Sequence, residues 1–249
     1  MQKDKKYEDK IQQHLFSKKQ SKISKYVDLF IGKKGIMTLL KYEIIIALFQ
    51  NTPGAAGILL RNIFFPLLFK KVGKGVVFGR SIVLRHPHKI TIEDDVVIDD
   101  FCLLDAKGLY DNEIIIKEKV FIGRNSILSC KNGNILISKN VNIGFNCEVF
   151  SASSVEIGEN TLLAAYSYII GGGHNYSRSD IPISEQEKHS KGIKVGKNCW
   201  IGAGAKVFDG IKIGNDSIIG AGSIVTKDIP SYSIAAGIPA RTIKSRKSS

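Results

Sequence analysis

Val195, Ile201, Val207, Ile213, Ile219 and Val225 follow one another at six-residue intervals. An amphipathic helix repeats every 3.6 residues and a half-buried strand every two, so neither accounts for a beat of six. A chain that coils with flat sides does, because each side consumes a fixed number of residues. The same beat runs further back in groups of three separated by gaps: Ile92, Ile98 and Leu104; Ile116, Ile122 and Leu128; Ile137, Ile143 and Val149; Ile157, Leu163 and Ile169. Three sides of six residues make a turn of roughly eighteen. The spacing predicts a triangular prism about six coils tall, with Phe78 and Leu84 as part of a further coil before it. Stacked coils bury their inner faces only against their neighbours.

Two companion positions support the prism. The residue after the inner aliphatic is often glycine, as at Gly123, Gly144, Gly158, Gly196, Gly202, Gly214 and Gly220. Glycine suits a corner that needs positive φ or close backbone approach. The fourth residue after it is often small, as at Cys102, Ser126, Cys147, Thr161, Ser167, Cys199, Ala205, Ser217 and Ser223. A tapering interior would be overfilled by large side chains there. Three of the four cysteines therefore read as small buried apolar residues, and Cys130, off that phase, as a corner residue. No CxxC pair occurs, which argues against a zinc site. Reduced thiols in a cytoplasmic protein are expected.

The 249 residues fit one domain with an N-terminal appendage: 1–75 basic and helical, 76–230 the coiled domain with an inserted loop at 170–192, and 231–249 a tail. Formal net charge is +13. Residues 1–35 hold ten lysines against four acids, and Arg241, Lys244, Arg246 and Lys247 crowd the C-terminus. Basic ends suit nucleic acid, an anionic membrane face or a phosphorylated ligand. Nothing resembles a nucleic-acid module, and no aromatics interleave the lysines. The start lacks an apolar signal-peptide core, and no apolar run is long enough to span a bilayer. Ile36–Phe49 and Ile58–Phe69 read as short helices broken by Asn51-Thr52-Pro53-Gly54. They either cap the open end of the prism, where strand edges would otherwise be bare, and contact other subunits, or rest on a membrane surface with lysines toward anionic lipid.

The rhythm breaks between Ile169 and Val195, which are twenty-six residues apart where six would continue it. Long loops inside compact folds are usually functional or disordered. This one opens Gly171-Gly172-Gly173-His174. The glycines would let the backbone approach a ligand closely, and histidine exchanges protons near neutral pH. A lone loop histidine is also an ordinary surface residue. His14, His86, His88 and His189 are weaker candidates, and their spacing does not suggest a metal triad.

The segment IKVGKNCWIGAGAKVFDGIKIGNDSIIGAGSIVTKDIPSYSIAAGIPARTI at 193–243 resembles the C-terminal half of sugar and serine acetyltransferases of the hexapeptide-repeat acyltransferase family. The repeats extend the resemblance over about residues 76–245, and PGAAGILLR at 53–61 resembles bacterial surface-polysaccharide O-acetyltransferases. The resemblance implies an all-β, left-handed parallel β-helix of hexapeptide repeats with an N-terminal helical appendage. It also implies acetyl-CoA as co-substrate without a metal, and a homotrimer with clefts between subunits. Carried over by position, His174 is the catalytic base, and Trp200 lies beside the pantetheine arm. The Ala203 N–H approaches the thioester oxygen, Ala221 contributes a second backbone contact, and Thr226, Lys227 and Arg241 lie near the nucleotide. Small residues at Ala203 and Ala221 also suit prism corners for structural reasons alone. Sugar acetyltransferases of this family carry an acceptor-facing asparagine directly after an inner aliphatic, where this chain has Gly144. Asn146 and Gln186 are the acceptor contacts that remain, although both are ordinary turn and loop residues.

The expected function is acetyl transfer to a sugar hydroxyl of a bacterial surface polysaccharide or its precursor. Its alternatives are N-acetylation of a nucleotide-linked amino sugar and a non-catalytic scaffold. The expected place is the cytoplasm, with a peripheral contact of the N-terminus at the inner membrane face left open.

Overall fold

The computed structural model describes residues 21–108 and 112–247; His14 and the first twenty residues fall outside them. Short parallel strands stack into three walls around an apolar axis. The first wall runs from Lys71–Val72 through Ile90–Ile92, Ile114–Ile116, Asn134–Ile137, Ser154–Ile157 and Ile193–Val195 to Lys212–Ile213. The second begins at Val77–Phe78 and ends in the antiparallel pair Ser233–Gly237 and Ala240–Ser245. The third begins at Val83–Arg85 and ends at Ile224–Val225. Register locks aliphatic over aliphatic: Ile92 faces Ile116, and Ile116 faces Ile137. All three are fully buried.

The first and third walls each hold seven strands, one coil more than the spacing predicts. Val72 pairs with Ile92 and starts the first coil, so Phe78 and Leu84 belong to a complete turn. Lysines and glycines on either side of Val72 hide it from a reading by hydrophobicity.

The corners separate two requirements that the sequence merges. Positive φ falls on the third residue after the inner aliphatic, as at Asp95, Asn125, Asn140, Asn160, Asn198 and Asp216. Asparagine and aspartate tolerate that conformation. The glycines of the first position answer instead to close approach: a Cβ on Gly158 would lie 2.5 Å from the backbone carbon of Gly196 in the next coil.

The small inward slot does more than save space. Ser126 Oγ donates to the Gly144 carbonyl at 2.9 Å, Thr161 Oγ1 to Gly196 at 2.9 Å, and Cys199 Sγ to Gly214 at 3.2 Å. A slender side chain with one donor thus satisfies a corner carbonyl of the following coil. Cys130 differs from expectation: it ends the four-residue strand Ile127–Cys130 and is fully buried. Third-wall strands lengthen to four residues in the middle coils, which adds a second inward position. All four cysteines are free.

Among the described residues three helices close the base: α1 (Lys22–Tyr26, continued by a π-helical turn), α2 (Ile36–Phe49) and α3 (Gly54–Phe64). α3 starts earlier than expected because Pro53 serves as its N-cap residue, and a 3-10 turn containing Pro66 ends it. First-coil carbonyls have no coil beneath them, and the helices supply their donors. Arg61 Nε reaches Phe78 O at 3.0 Å, Gln50 Nε2 reaches Ile82 O at 2.8 Å, and the Tyr42 hydroxyl reaches Leu84 O at 2.7 Å. No described helix is long and apolar enough to cross a membrane.

Candidate functional site

The long excursion leaves the third wall after Tyr168–Gly171 and returns at Ile193–Val195. Within it Gly173–His174 pairs antiparallel with Lys188–His189. The glycines serve the chain's own packing: Gly172 has φ +151°, and its Cβ would lie 2.8 Å from that of Ala152. This ribbon holds His174 out from the coil, exposed and opposite Lys188. Tyr176 and Ile183, also on the excursion, are 82% and 59% exposed.

Two side chains fix the excursion, and sequence reasoning missed both roles. Gln186 is buried; its amide donates to Arg178 O at 2.7 Å and accepts from Arg178 N at 3.2 Å. The Gln186 amide therefore staples the loop. Asp209 clamps the return, accepting from Ser190 Oγ at 3.0 Å, Lys191 N at 2.7 Å and Gly192 N at 3.0 Å. An Asp-Gly pair within the hexad between Val207 and Ile213 was the available signal for the clamp.

The other candidates divide between two edges. Trp200 lies on the second wall in register with Leu162 and Ile218, and is 51% exposed. Ala203 and Ala221 follow at the corner between second and third walls, where Ala203 O accepts from Gly222 N at 2.8 Å. Asn146 stands at the same corner with φ +55°, a conformation that by itself favours asparagine. Arg241 lies across from Ala236 at the top of the second wall. His174, Gln186, Thr226 and Lys227 belong to the edge between third and first walls. The third wall separates the two groups by about six residues, roughly 20 Å at strand rise. On that wall Glu148 hydrogen-bonds Tyr168, and burial pushes its carboxyl above the usual range.

The corner bearing Ala203 combines uncapped N–H groups with an exposed indole. At three corners a carboxylate or amide in the second position after the inner aliphatic caps the equivalent N–H of the coil below. Asp94 accepts from Lys74 N at 2.8 Å, Asp100 from Arg80 N at 2.7 Å, and Asn215 from Lys197 N at 2.9 Å. Ala203 and Ala221 succeed each other at that position without an acceptor between them. Among the described residues neither N–H has a hydrogen-bond partner. A column of free donors beside an exposed indole suits a carbonyl oxygen and an apolar arm.

The other titratable candidates are structural. His86 is buried with Nε2 2.9 Å from Asp28 O. Burial, reinforced by Lys33, pushes the His88 imidazole down to about 4. Burial pushes the Cys199 thiol up, away from a reactive thiolate. No group of three His, Cys, Asp or Glu that could hold a metal occurs among the described residues.

The family described as "Hexapeptide repeat of succinyl-transferase" matches residues 134–170 and 192–227. The galactoside O-acetyltransferase of Escherichia coli K12 is 36% identical over 116 residues, 45% of this chain and 54% of that protein. The dTDP-4-amino-4,6-dideoxy-D-glucose acyltransferase of Escherichia coli is 28% identical over 178 residues, 72% of this chain and 83% of that protein. The crystal structure of a polysialic-acid-specific acetyltransferase superposes with a TM-score of 0.51 at 25% identity, covering 70% of this chain and 81% of that one. The chain spans about half the length of several curated relatives it matches. Joined to seven coils of hexads, these matches show a hexapeptide-repeat β-helix similar to those of sugar and polysaccharide acetyltransferases.

Proposed function

We propose that the protein transfers an acetyl group from acetyl-CoA to a sugar hydroxyl of a bacterial surface polysaccharide or its precursor. The observation that carries this reading is the division of the site. Free N–H donors and Trp200 line one edge of the prism, and the exposed histidine lines another, roughly 20 Å away within one chain. Copies packed edge to edge as a trimer would bring the His174 edge of one against the Ala203 corner of the next. The exposed Tyr176 and Ile183 of the excursion suit burial in such a contact.

In that cleft the thioester lies beside Trp200 with its carbonyl oxygen on the Ala203 N–H. Ala221 N–H holds the pantetheine amide, and Thr226, Lys227 and Arg241 meet the phosphates. Neutral His174 takes the proton of the acceptor hydroxyl as its oxygen attacks the thioester carbon. The backbone donor stabilises the oxyanion. The carbon–sulfur bond then breaks, and the proton passes from His174 to the departing thiolate. Transfer is direct, because Cys199 is buried with its thiol on Gly214 O. Asn146 at the same corner is the acceptor contact.

The match to a nucleotide amino-sugar acyltransferase over 72% of the chain favours one second reading, transfer to an amine. Thiol release from acetyl-CoA, with a deacetylated polysaccharide or a dTDP-linked amino sugar as acceptor, separates the two. His174→Ala should abolish release while the assembly persists in sedimentation. Undiminished release by that variant removes His174 as the base.

A further inference from the structure

α2 is apolar on both sides. Tyr42 and Ile45 are buried against the base of the prism. Opposite them Ile36, Leu40, Ile44 and Leu48 recur every fourth residue, at 66%, 47%, 54% and 60% exposure. On α3 Leu59 and Ile63 are likewise exposed, at 61% and 54%. A helix with an exposed apolar stripe opposite its buried one belongs against a second apolar phase, and exposed apolar clusters mark interaction surfaces.

Charge and position indicate the kind of partner. Residues 21–75 carry eight lysines and one arginine against two acids. Of the acids, Glu43 is occupied by the Tyr26 hydroxyl. A cleft of about 410 Å³ on α2 is lined by Lys33, Met37, Lys41, Leu67 and His88 among others. Apolar side chains for acyl chains and paired cations for a phosphate headgroup thus adjoin each other. The inner faces of the helices cap the first coil, so this face lies at the end of the molecule, across the prism axis. Copies packed side by side would leave it uncovered and turn every such face the same way.

We infer that the outer face of α2 and α3 docks the protein on an anionic lipid surface, with an acidic headgroup between Lys33 and Lys41. The inference is independent of which acceptor is acetylated.

The test is flotation of the full chain with phosphatidylcholine vesicles, with and without about one third phosphatidylglycerol, at low and high salt. Binding is expected to anionic vesicles and to weaken with salt. Leu40→Glu with Leu59→Glu should lower the bound fraction at least tenfold, with an unchanged circular dichroism spectrum and melting temperature. Lys33→Gln with Lys41→Gln should remove the preference for anionic lipid. Failure of the wild-type chain to float, or equal flotation of the leucine variant, overturns the inference. So does loss of binding on removing residues 1–20 alone, which would place the contact there. An assembly whose copy number halves in the leucine variant would assign the face to a second copy and also overturn it.

Discussion

Replacing Ala221 by asparagine supplies the acceptor that the Ala203 corner lacks. Ala221 stands to Ala203 as Asn215 stands to Lys197: each is the second residue after an inner aliphatic, one coil apart. Asn215 Oδ1 accepts from Lys197 N at 2.9 Å, and Asp100 Oδ1 from Arg80 N at 2.7 Å. The new amide should therefore reach the Ala203 N–H from the same direction. A hydrogen bond of that kind contributes about 0.5–1.5 kcal/mol, so the melting temperature should hold or rise. Catalysis should suffer, because the N–H would no longer be free for the oxyanion. Removing one such donor costs about 2.7–4 kcal/mol, a fall of roughly 10²–10³ in kcat. The assay is thiol release at varied acetyl-CoA, with melting followed in parallel. Ala165→Asn is the control: it caps the Phe145 N–H lower on the same corner and should leave kcat unchanged. If Ala221→Asn raises KM while kcat stays at the wild-type value, the side chain merely obstructs the coenzyme, and the Ala203 N–H is not the oxyanion donor.

Asp209→Ala removes the clamp on Ser190, Lys191 and Gly192 and should lower kcat about 10- to 100-fold through misplacement of His174, with little change in melting temperature; an unchanged kcat would separate the clamp from catalysis. Gly158→Ala forces a methyl group to within 2.5 Å of the Gly196 backbone. It should destabilise the fold by about 1–3 kcal/mol in denaturant titrations, and an unshifted midpoint would refute the close-approach account. Burial pushes the Cys102 and Cys130 thiols up to about 12, so the folded chain holds these protons more tightly than the unfolded chain. Their contribution to stability is complete below the ordinary thiol value of 9.0 and is lost as pH rises toward 12. Denaturant midpoints should fall between pH 8 and pH 10.5, less steeply in Cys102→Ser with Cys130→Ser.

The prism was legible because a hexad of inward aliphatics is a long-range regularity that no single residue can obscure. Its failures were local. Val72 escaped because a two-residue strand between lysines and glycines carries no pattern of its own. Cys130 was misplaced because extra residues in the third-wall strands do not alter the beat at Leu128 and Val149. The excursion showed itself as a gap, and its histidine with it. What holds the excursion did not, because Gln186 and Asp209 act through contacts with backbone eight and seventeen to eighteen residues away. Such pairings exist only once the coil is closed.

The alanine corner was readable in principle. A prism repeats its corner chemistry coil after coil, so each position has a structural expectation set by its equivalents below and above. At the second position after the inner aliphatic one stabilising solution is a capping carboxylate or amide, found at Asp94, Asp100 and Asn215. Alanine at 165, 203 and 221 contributes nothing to the corner that a capping residue would not improve, by about 0.5–1.5 kcal/mol each. Three successive coils therefore forgo a stabilising bond on the same edge, and each omission leaves an N–H pointing at whatever lies outside. Uncapped N–H groups recur at other corners, as glycine and small residues do, so what locates the ligand is the coincidence of the free Ala203 N–H with the exposed Trp200 indole.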